Sequence, residues 1–129
     1  MYADLNIFQT ARSMAVHATQ RQALVAENIA NSDTPGYRAR DLDSFASAFA
    51  SSAGETSMRA TRPAHFRDAE TASSRIRVRT DESVPEPNGN SVSLENEMVR
   101  AVEIKRQHDR AMAIYKSSLN ILRISLGRR

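Results

Sequence analysis

Three histidines, His17, His65 and His108, and the close acidic pair Asp41 and Asp43 are the side chains of this 129-residue chain best suited to proton transfer or metal binding. Zinc sites on helices place a second His or an acidic ligand three to five residues away. None of the three histidines has a second histidine at that spacing, and the isolated acidic neighbours of His65 and His108 do not complete a zinc motif, so no metal residue is assigned. His17 reads as a surface residue of a helix. His108 falls in an apolar series, where it reads as a polar register element or a contact to another subunit. Asp41 and Asp43 lie beside a turn with nothing near them in sequence to shift their titration. The chain contains no Cys, which excludes disulfides, thiolate sites and a cysteine nucleophile. The four glycines, at 36, 54, 89 and 127, are too scattered for a phosphate-cradling loop. Catalytic and cofactor-binding residues are therefore assigned to none, and neither an enzyme nor a small-molecule substrate is expected.

The other chemistry open to the chain is anion binding. Of its 18 basic residues 16 are Arg, and the net charge is +3 with a pI near 9.8. Arg59, Arg62, Arg67, Arg75, Arg77 and Arg79 face only Asp68 and Glu70 between 59 and 80. A nucleic-acid arm would interleave aromatics for base stacking, and this run holds only Phe66. A solvated or subunit-contacting loop is the better reading, and no nucleic acid is expected. A small basic helical nucleic-acid-binding protein is the alternative function, recognisable by affinity that falls steeply with salt.

The elements that must position these residues follow from where the apolar side chains sit. Leu, Ile, Val and Phe number 25: ten in 1–49, eleven in 92–129, and only Phe66, Ile76, Val78 and Val84 between. The chain divides accordingly into 1–49, a polar middle at 50–91 and 92–129, with the two ends forming one structural unit. No stretch approaches the roughly 18 apolar residues of a membrane span, and Met1-Tyr2-Ala3-Asp4 shows no basic leader, so a cleavable signal is not expected.

Residues 3–31 read as a helix of about 43 Å. Phe8, Ala11, Ala15, Ala18, Gln22, Val25 and Ile29 alternate spacings of three and four, a seven-residue seam. Thr34 precedes Pro35, whose ring disfavours helical geometry in the residue before it. Thr34-Pro35-Gly36-Tyr37 suits a type II turn, with Gly supplying the positive φ. Arg75-Ile76-Arg77-Val78-Arg79 alternates weakly as a strand. The rest of 46–91 lacks the apolar content to offset ordering entropy. From 93 to 126 a second helix of about 51 Å is expected, capped by Ser93 and ended by Gly127. Its series is Leu94, Met98, Ala101, Lys105, His108, Met112, Tyr115, Leu119, Leu122 and Leu126. The fold class is thus mainly α, with long terminal helices packing as a coiled-coil-like hairpin around an irregular middle holding at most a short strand or hairpin. Val99, Val102, Ile104, Ile114, Ile121 and Ile124 lie beside or away from the seam, more apolar surface than one partner helix can cover.

The run Glu27-Asn28-Ile29-Ala30-Asn31-Ser32-Asp33-Thr34-Pro35-Gly36-Tyr37-Arg38-Ala39-Arg40-Asp41-Leu42-Asp43 resembles the N-terminal signature of bacterial flagellar rod and hook proteins, which centres on A-N-x-x-T-P-G-Y after a long first helix. Gly89-Asn90-Ser91-Val92-Ser93-Leu94-Glu95-Asn96-Glu97-Met98 resembles the segment opening the C-terminal helix in short proximal-rod members of that family. Ser93 replaces an acidic or amide residue common there, and Ser44 separates Asp43 from Phe45. Phe45-Ala46-Ser47-Ala48-Phe49 resembles the F-x-x-x-hydrophobic element thought to engage the export gate; the alternative is a short amphipathic helix.

The resemblance implies a structural subunit of the basal-body proximal rod. It would leave the cytoplasm through the flagellar type III apparatus without a cleavable signal, polymerise helically in the periplasm through its terminal helices and transmit torque to the distal rod and hook. Implied partners are copies of itself, other rod proteins, the adaptor between rod and membrane ring, and the export gate during secretion. The turn Asn28, Ala30, Asn31, Asp33, Thr34, Pro35, Gly36 and Tyr37 would join the first helix to the outer segment. Phe45 and Phe49 would act in export. Phe8, Ala15, Val25, Ile29, Leu94, Met98, Met112, Tyr115, Leu119, Leu122 and Leu126 would form the assembly interface.

Overall fold

A computed structural model describes residues 2–54, 78–80 and 85–127. The first helix, α1, spans Tyr2–Ala30. After it come β1 (Arg40–Leu42), α2 (Phe45–Gly54), β2 (Val78–Thr80) and α3 (Leu94–Ser125). Of the segment 46–91, expected to lack order, 46–54 lie in α2, 78–80 form β2 and 85–91 pack against the turn; 55–77 and 81–84, with every Arg of the middle except Arg79, lie outside the described residues.

The helix ends form as the local sequence dictates. At the end of α1 the Asn31 side chain donates to the Glu27 carbonyl at 2.8 Å, which also accepts the Asn31 backbone N–H at 3.1 Å. Tyr37 N–H donates to Thr34 O at 3.2 Å across Pro35-Gly36, and Gly36 has φ +71°, which gives the expected type II turn. Ser93 caps α3, its Oγ accepting from Asn96 N–H, and Glu95 and Glu97 sit at the positive end of the helix dipole. Ser44 starts α2 in the same way, accepting from Ser47 N–H at 3.2 Å.

The helices α1 and α3 run antiparallel. Asn28 bonds Glu97 near one end, and Phe8 meets Tyr115 edge-to-face, 5.3 Å between centroids, towards the other. Ala18, Val25 and Ile104 form the core, each at most 2% exposed, and Ile29 and Ala101 pack on it. Small side chains let the backbones approach closely: Ala11, Ala18 and Ala111 are all buried. The seam on α1 is thus Ala11, Ala18 and Val25, as its spacing indicates.

On α3 the seam differs from the sequence expectation. Glu97, Ile104 and Ala111, seven residues apart, face α1. Of the expected series, Leu94, Met98, Met112, Tyr115 and Leu126 are exposed, while Ala101, Leu119 and Leu122 are half-buried at the flank. The physical reason is a buried carboxylate: apolar periodicity gives Glu97 no weight, yet its hydrogen bonds fix which face turns inward.

β1 and β2 pair antiparallel with Arg40 opposite Thr80, Asp41 opposite Arg79 and Leu42 opposite Val78. Leu42 is buried, so this ribbon covers one side of the hairpin near the turn. No described helix is long and apolar enough to cross a membrane.

Candidate functional site

The two segments that carry the resemblance, far apart in sequence, lock together in space. Ser91 N–H donates to Tyr37 O at 3.0 Å, Gly36 N–H to Asn88 O at 3.1 Å, and Ala39 N–H to Ser91 Oγ at 2.9 Å. Gly36 and Gly89 touch: a Cβ on Gly89 would lie 3.3 Å from the Gly36 Cα, and Gly89 itself has φ +80°. Both conditions select glycine there.

Asn90 holds the turn from beneath. It is 1% exposed, and its amide nitrogen lies 3.0, 2.6 and 2.9 Å from the carbonyls of Asn31, Ser32 and Thr34. Its Oδ1 accepts from Val92 N–H at 2.8 Å, so the same side chain also shapes the approach to α3. Asn28, fully buried, performs the matching task from α1. Its Nδ2 donates to Arg40 O at 2.8 Å and to Glu97 Oε2 at 3.1 Å, while Oδ1 accepts from Arg40 N–H and Tyr37 O–H. Glu97 is completed by Arg100, whose Nη1 donates to Oε1 at 2.8 Å. One polar network therefore ties α1, the turn, β1 and α3 together, with every arm buried or half-buried. Such a network defines a single geometry because a shift leaves several groups unsatisfied at once.

A second polar group fixes the ribbon. Arg21 forks Asp41 through Nε to Oδ1 at 2.8 Å and Nη2 to Oδ2 at 2.5 Å, the bidentate geometry that strengthens such pairs. Burial by itself would raise the Asp41 pKa. The Arg21 fork and the Leu42 N–H outweigh it and hold the carboxyl below its ordinary value, against the expectation of normal titration. His17, expected at the surface, is buried at 3%. Its Nε2–H donates to Asp43 O at 2.9 Å, and its ring meets Phe45 edge-on at 5.7 Å. Burial lowers the His17 pKa, and the hydrogen bond to Asp43 only partly offsets it. Nδ1 is buried without a partner, so the neutral ring fits and the cation does not.

Both shifts weaken the fold in acid. For His17 the unfolded chain takes up a proton first as pH falls below 6.5, and stability declines until the lower folded value is passed. For Asp41 the ionised pair stabilises fully above the ordinary 3.8 and is lost as pH falls through its depressed folded value. Urea midpoints should therefore fall in two stages on acidification. His17→Gln, which keeps an N–H donor but cannot ionise, should remove the earlier stage only. An unchanged profile in that variant would show that His17 is not the group responsible.

Phe45 and Phe49 lie on α2, one turn apart with ring centroids at 5.7 Å, Phe45 half-buried against His17 and Phe49 exposed. Of the interface residues, Val25 is used inside the chain, and Ile29 is partly covered by the same core. Phe8 and Ala15 are half-buried. Beside this core, Ala18, Gln22, Ala23 and Ala26 of α1 and Val102, Lys105 and His108 of α3 line an open groove of about 600 Å³. No group of three or more His, Cys, Asp or Glu residues that could hold a metal exists among the described residues.

The family described as "Flagella basal body rod protein" matches residues 8–38, from within α1 through the turn. The chain is 34% identical over 128 residues to the flagellar basal body rod protein FlgB of Agrobacterium fabrum, covering 96% of this chain and 95% of that one. The chain belongs to the FlgB family of flagellar basal body rod proteins. FlgB of Escherichia coli K12 is 32% identical, with 80% of this chain and 83% of its own length aligned. FlgB of Cereibacter sphaeroides is 30% identical over 81% and 80%. As an FlgB-family member the chain is a structural subunit of the flagellar basal body rod.

Sequence reasoning locates the turn but misses the residues that fasten it. Asn90 and Glu97 stand within the second resembling segment, and a polar side chain flanked by glycine and a helix cap is the available signal. Arg21 and Asp41 give none, because a pair 20 residues apart becomes visible only once the chain reverses at Pro35.

Proposed function

We propose that this rod subunit is built in two steps, first closing its own hairpin and then polymerising helically through the surface the hairpin leaves uncovered. The observation that carries this reading is the division of apolar residues on α3. Ile104 and Ala111 complete the chain's own core, while Met98, Ile121, Ile124 and Leu126 are at least 60% exposed. Scattered apolar residues are ordinary on a surface, but large exposed ones recurring along the whole of a 32-residue helix mark association surfaces. Copies of this chain and other rod proteins would cover them, with the adaptor joining rod to membrane ring as a further neighbour. Passage through the type III apparatus, engagement of the export gate by Phe45 and Phe49, and torque transmission to the distal rod and hook complete the proposal. No catalytic step belongs to it.

The test is a double substitution outside the core. Ile121→Gln with Ile124→Gln should change stability of the isolated chain by no more than about 1 kcal/mol. Each buried Ile lost from an interface removes about 1.5–3 kcal/mol, so rod assembly should fail and cells should be non-motile. Motile cells with normal rods carrying the variant would overturn the assignment of this face.

A further inference from the structure

We propose that Asn88-Gly89 is a spontaneous modification site, protected while the clasp is closed and reactive when the chain is unfolded. This stands apart from the assembly reading and rests on the chemistry of one peptide bond. Glycine offers no side chain to hinder attack by its own nitrogen on a preceding Asn, which makes this pair the labile one. The fold nevertheless needs it. Gly89 has φ +80° and lies against Gly36, while the Asn88 side chain accepts from Asn90 N–H at 2.9 Å and Asn88 O from Gly36 N–H at 3.1 Å.

The reaction needs no oxidant or cofactor. The Gly89 nitrogen attacks Asn88 Cγ, and a C–N bond forms as the side-chain amide leaves with the displaced proton as ammonia. The product is a five-membered succinimide. Water then adds at one of its two carbonyls. Cleavage of the Cγ–N bond gives aspartate on the original backbone, and cleavage of the bond from the α-carbonyl carbon to nitrogen gives isoaspartate, with the backbone routed through Cβ and Cγ. Water is consumed and ammonia released.

In the closed clasp this path is blocked. Gly89 N–H donates to Glu86 O at 2.7 Å, Glu86 N–H to Asn90 O at 2.7 Å, and the Asn88 amide oxygen is tied to Asn90. The attacking nitrogen and its target carbon are thus each held in place, and reaction requires local opening. An unfolded chain has none of these tethers. Isoaspartate at 88 takes the α-carbonyl that accepts from Gly36 N–H out of the main chain and adds one backbone atom between the residue-88 Cα and the Gly89 nitrogen, so a chain modified while unfolded could not close the clasp. The site would then remove chains that stay unfolded too long.

The full chain, held at mildly alkaline pH in native buffer or in urea, is followed by peptide mass mapping and by methyl labelling with an isoaspartyl methyltransferase. Loss of the Asn88 amide should be at least about tenfold faster in urea, because reaction in buffer waits on opening. After return to buffer, the isoaspartate fraction should unfold at lower urea than unmodified chain. The Asn88→Asp variant, whose carboxylate still accepts from Asn90 N–H on a normal backbone, should keep the native midpoint. Equal rates in the two solvents would overturn the protection, and a native midpoint for the isoaspartate form would overturn its consequence.

Discussion

Replacing Asn28 by Asp should destabilise the chain by about 3 kcal/mol or more at neutral pH, since it turns a buried donor into a second charge beside a carboxylate. In the native chain Asn28 Nδ2 lies 3.1 Å from Glu97 Oε2 and 2.8 Å from Arg40 O, both acceptors. A carboxylate oxygen in place of that nitrogen would face two acceptors with no hydrogen to offer. Two carboxylates so close cannot both ionise cheaply, and one would hold its proton to higher pH than in the unfolded chain. The sign follows: for a raised folded pKa, stability is regained as pH falls through that value and lost as it rises. The deficit relative to the native chain should therefore shrink on acidification, although the native chain itself weakens there through His17 and Asp41. Glu97→Gln in the same chain should restore a donor–acceptor pair with its direction reversed and recover much of the loss. Urea unfolding of the two single variants and the double variant, at neutral and mildly acidic pH, reads this coupling. A small, pH-independent cost for Asn28→Asp would show that Asn28 and Glu97 do not meet in solution.

Asn90→Ala should cost about 2–4 kcal/mol, the penalty of leaving buried acceptors and a buried N–H without partners. The side chain has two amide hydrogens for three carbonyls, so those of Asn31, Ser32 and Thr34 share them. Loss of Oδ1 also frees Val92 N–H, two residues before α3 begins. The effect should be concentrated at the turn. Hydrogen exchange at Gly36, Tyr37 and Ser91, whose N–H groups hold the turn and bridge the two segments, should accelerate more than exchange in the middle of α1. A change below about 0.5 kcal/mol, the usual range for surface substitutions, would mean that the clasp is held by its backbone bonds alone.

These two asparagines mark the boundary of what the sequence discloses. Both long helices, their ends, the Pro35-Gly36 turn and the Ser93 cap are written in local chemistry, since a proline ring, a positive φ and a short polar cap each act within a few residues. The strand at Val78 is faintly visible in its alternation. What joins the elements is not local. Asn90 acts on carbonyls more than 50 residues earlier. Glu97 turns inward because Asn28 and Arg100 receive it, which displaces Leu94, Met98 and Met112 from the hairpin seam to its outside. His17 reads wrongly from sequence because a lone polar residue on a helix carries no sign of what the following chain will lay over it. The surplus of apolar residues on α3 is legible as a count, but its division into core and exposed surface requires the register.

The exposed apolar surface and the closed clasp together make the central claim: the hairpin is complete before assembly, and neighbouring subunits cover what it leaves open. Electron microscopy of the purified basal body at side-chain resolution tests this most directly. Met98, Met112, Ile121, Ile124 and Leu126 should be buried against other subunits, with Asn28 still on Glu97 and Asn90 still beneath the turn. A rod in which those residues face solvent, or in which α1 and α3 of one chain have separated to pair with other chains, would contradict it.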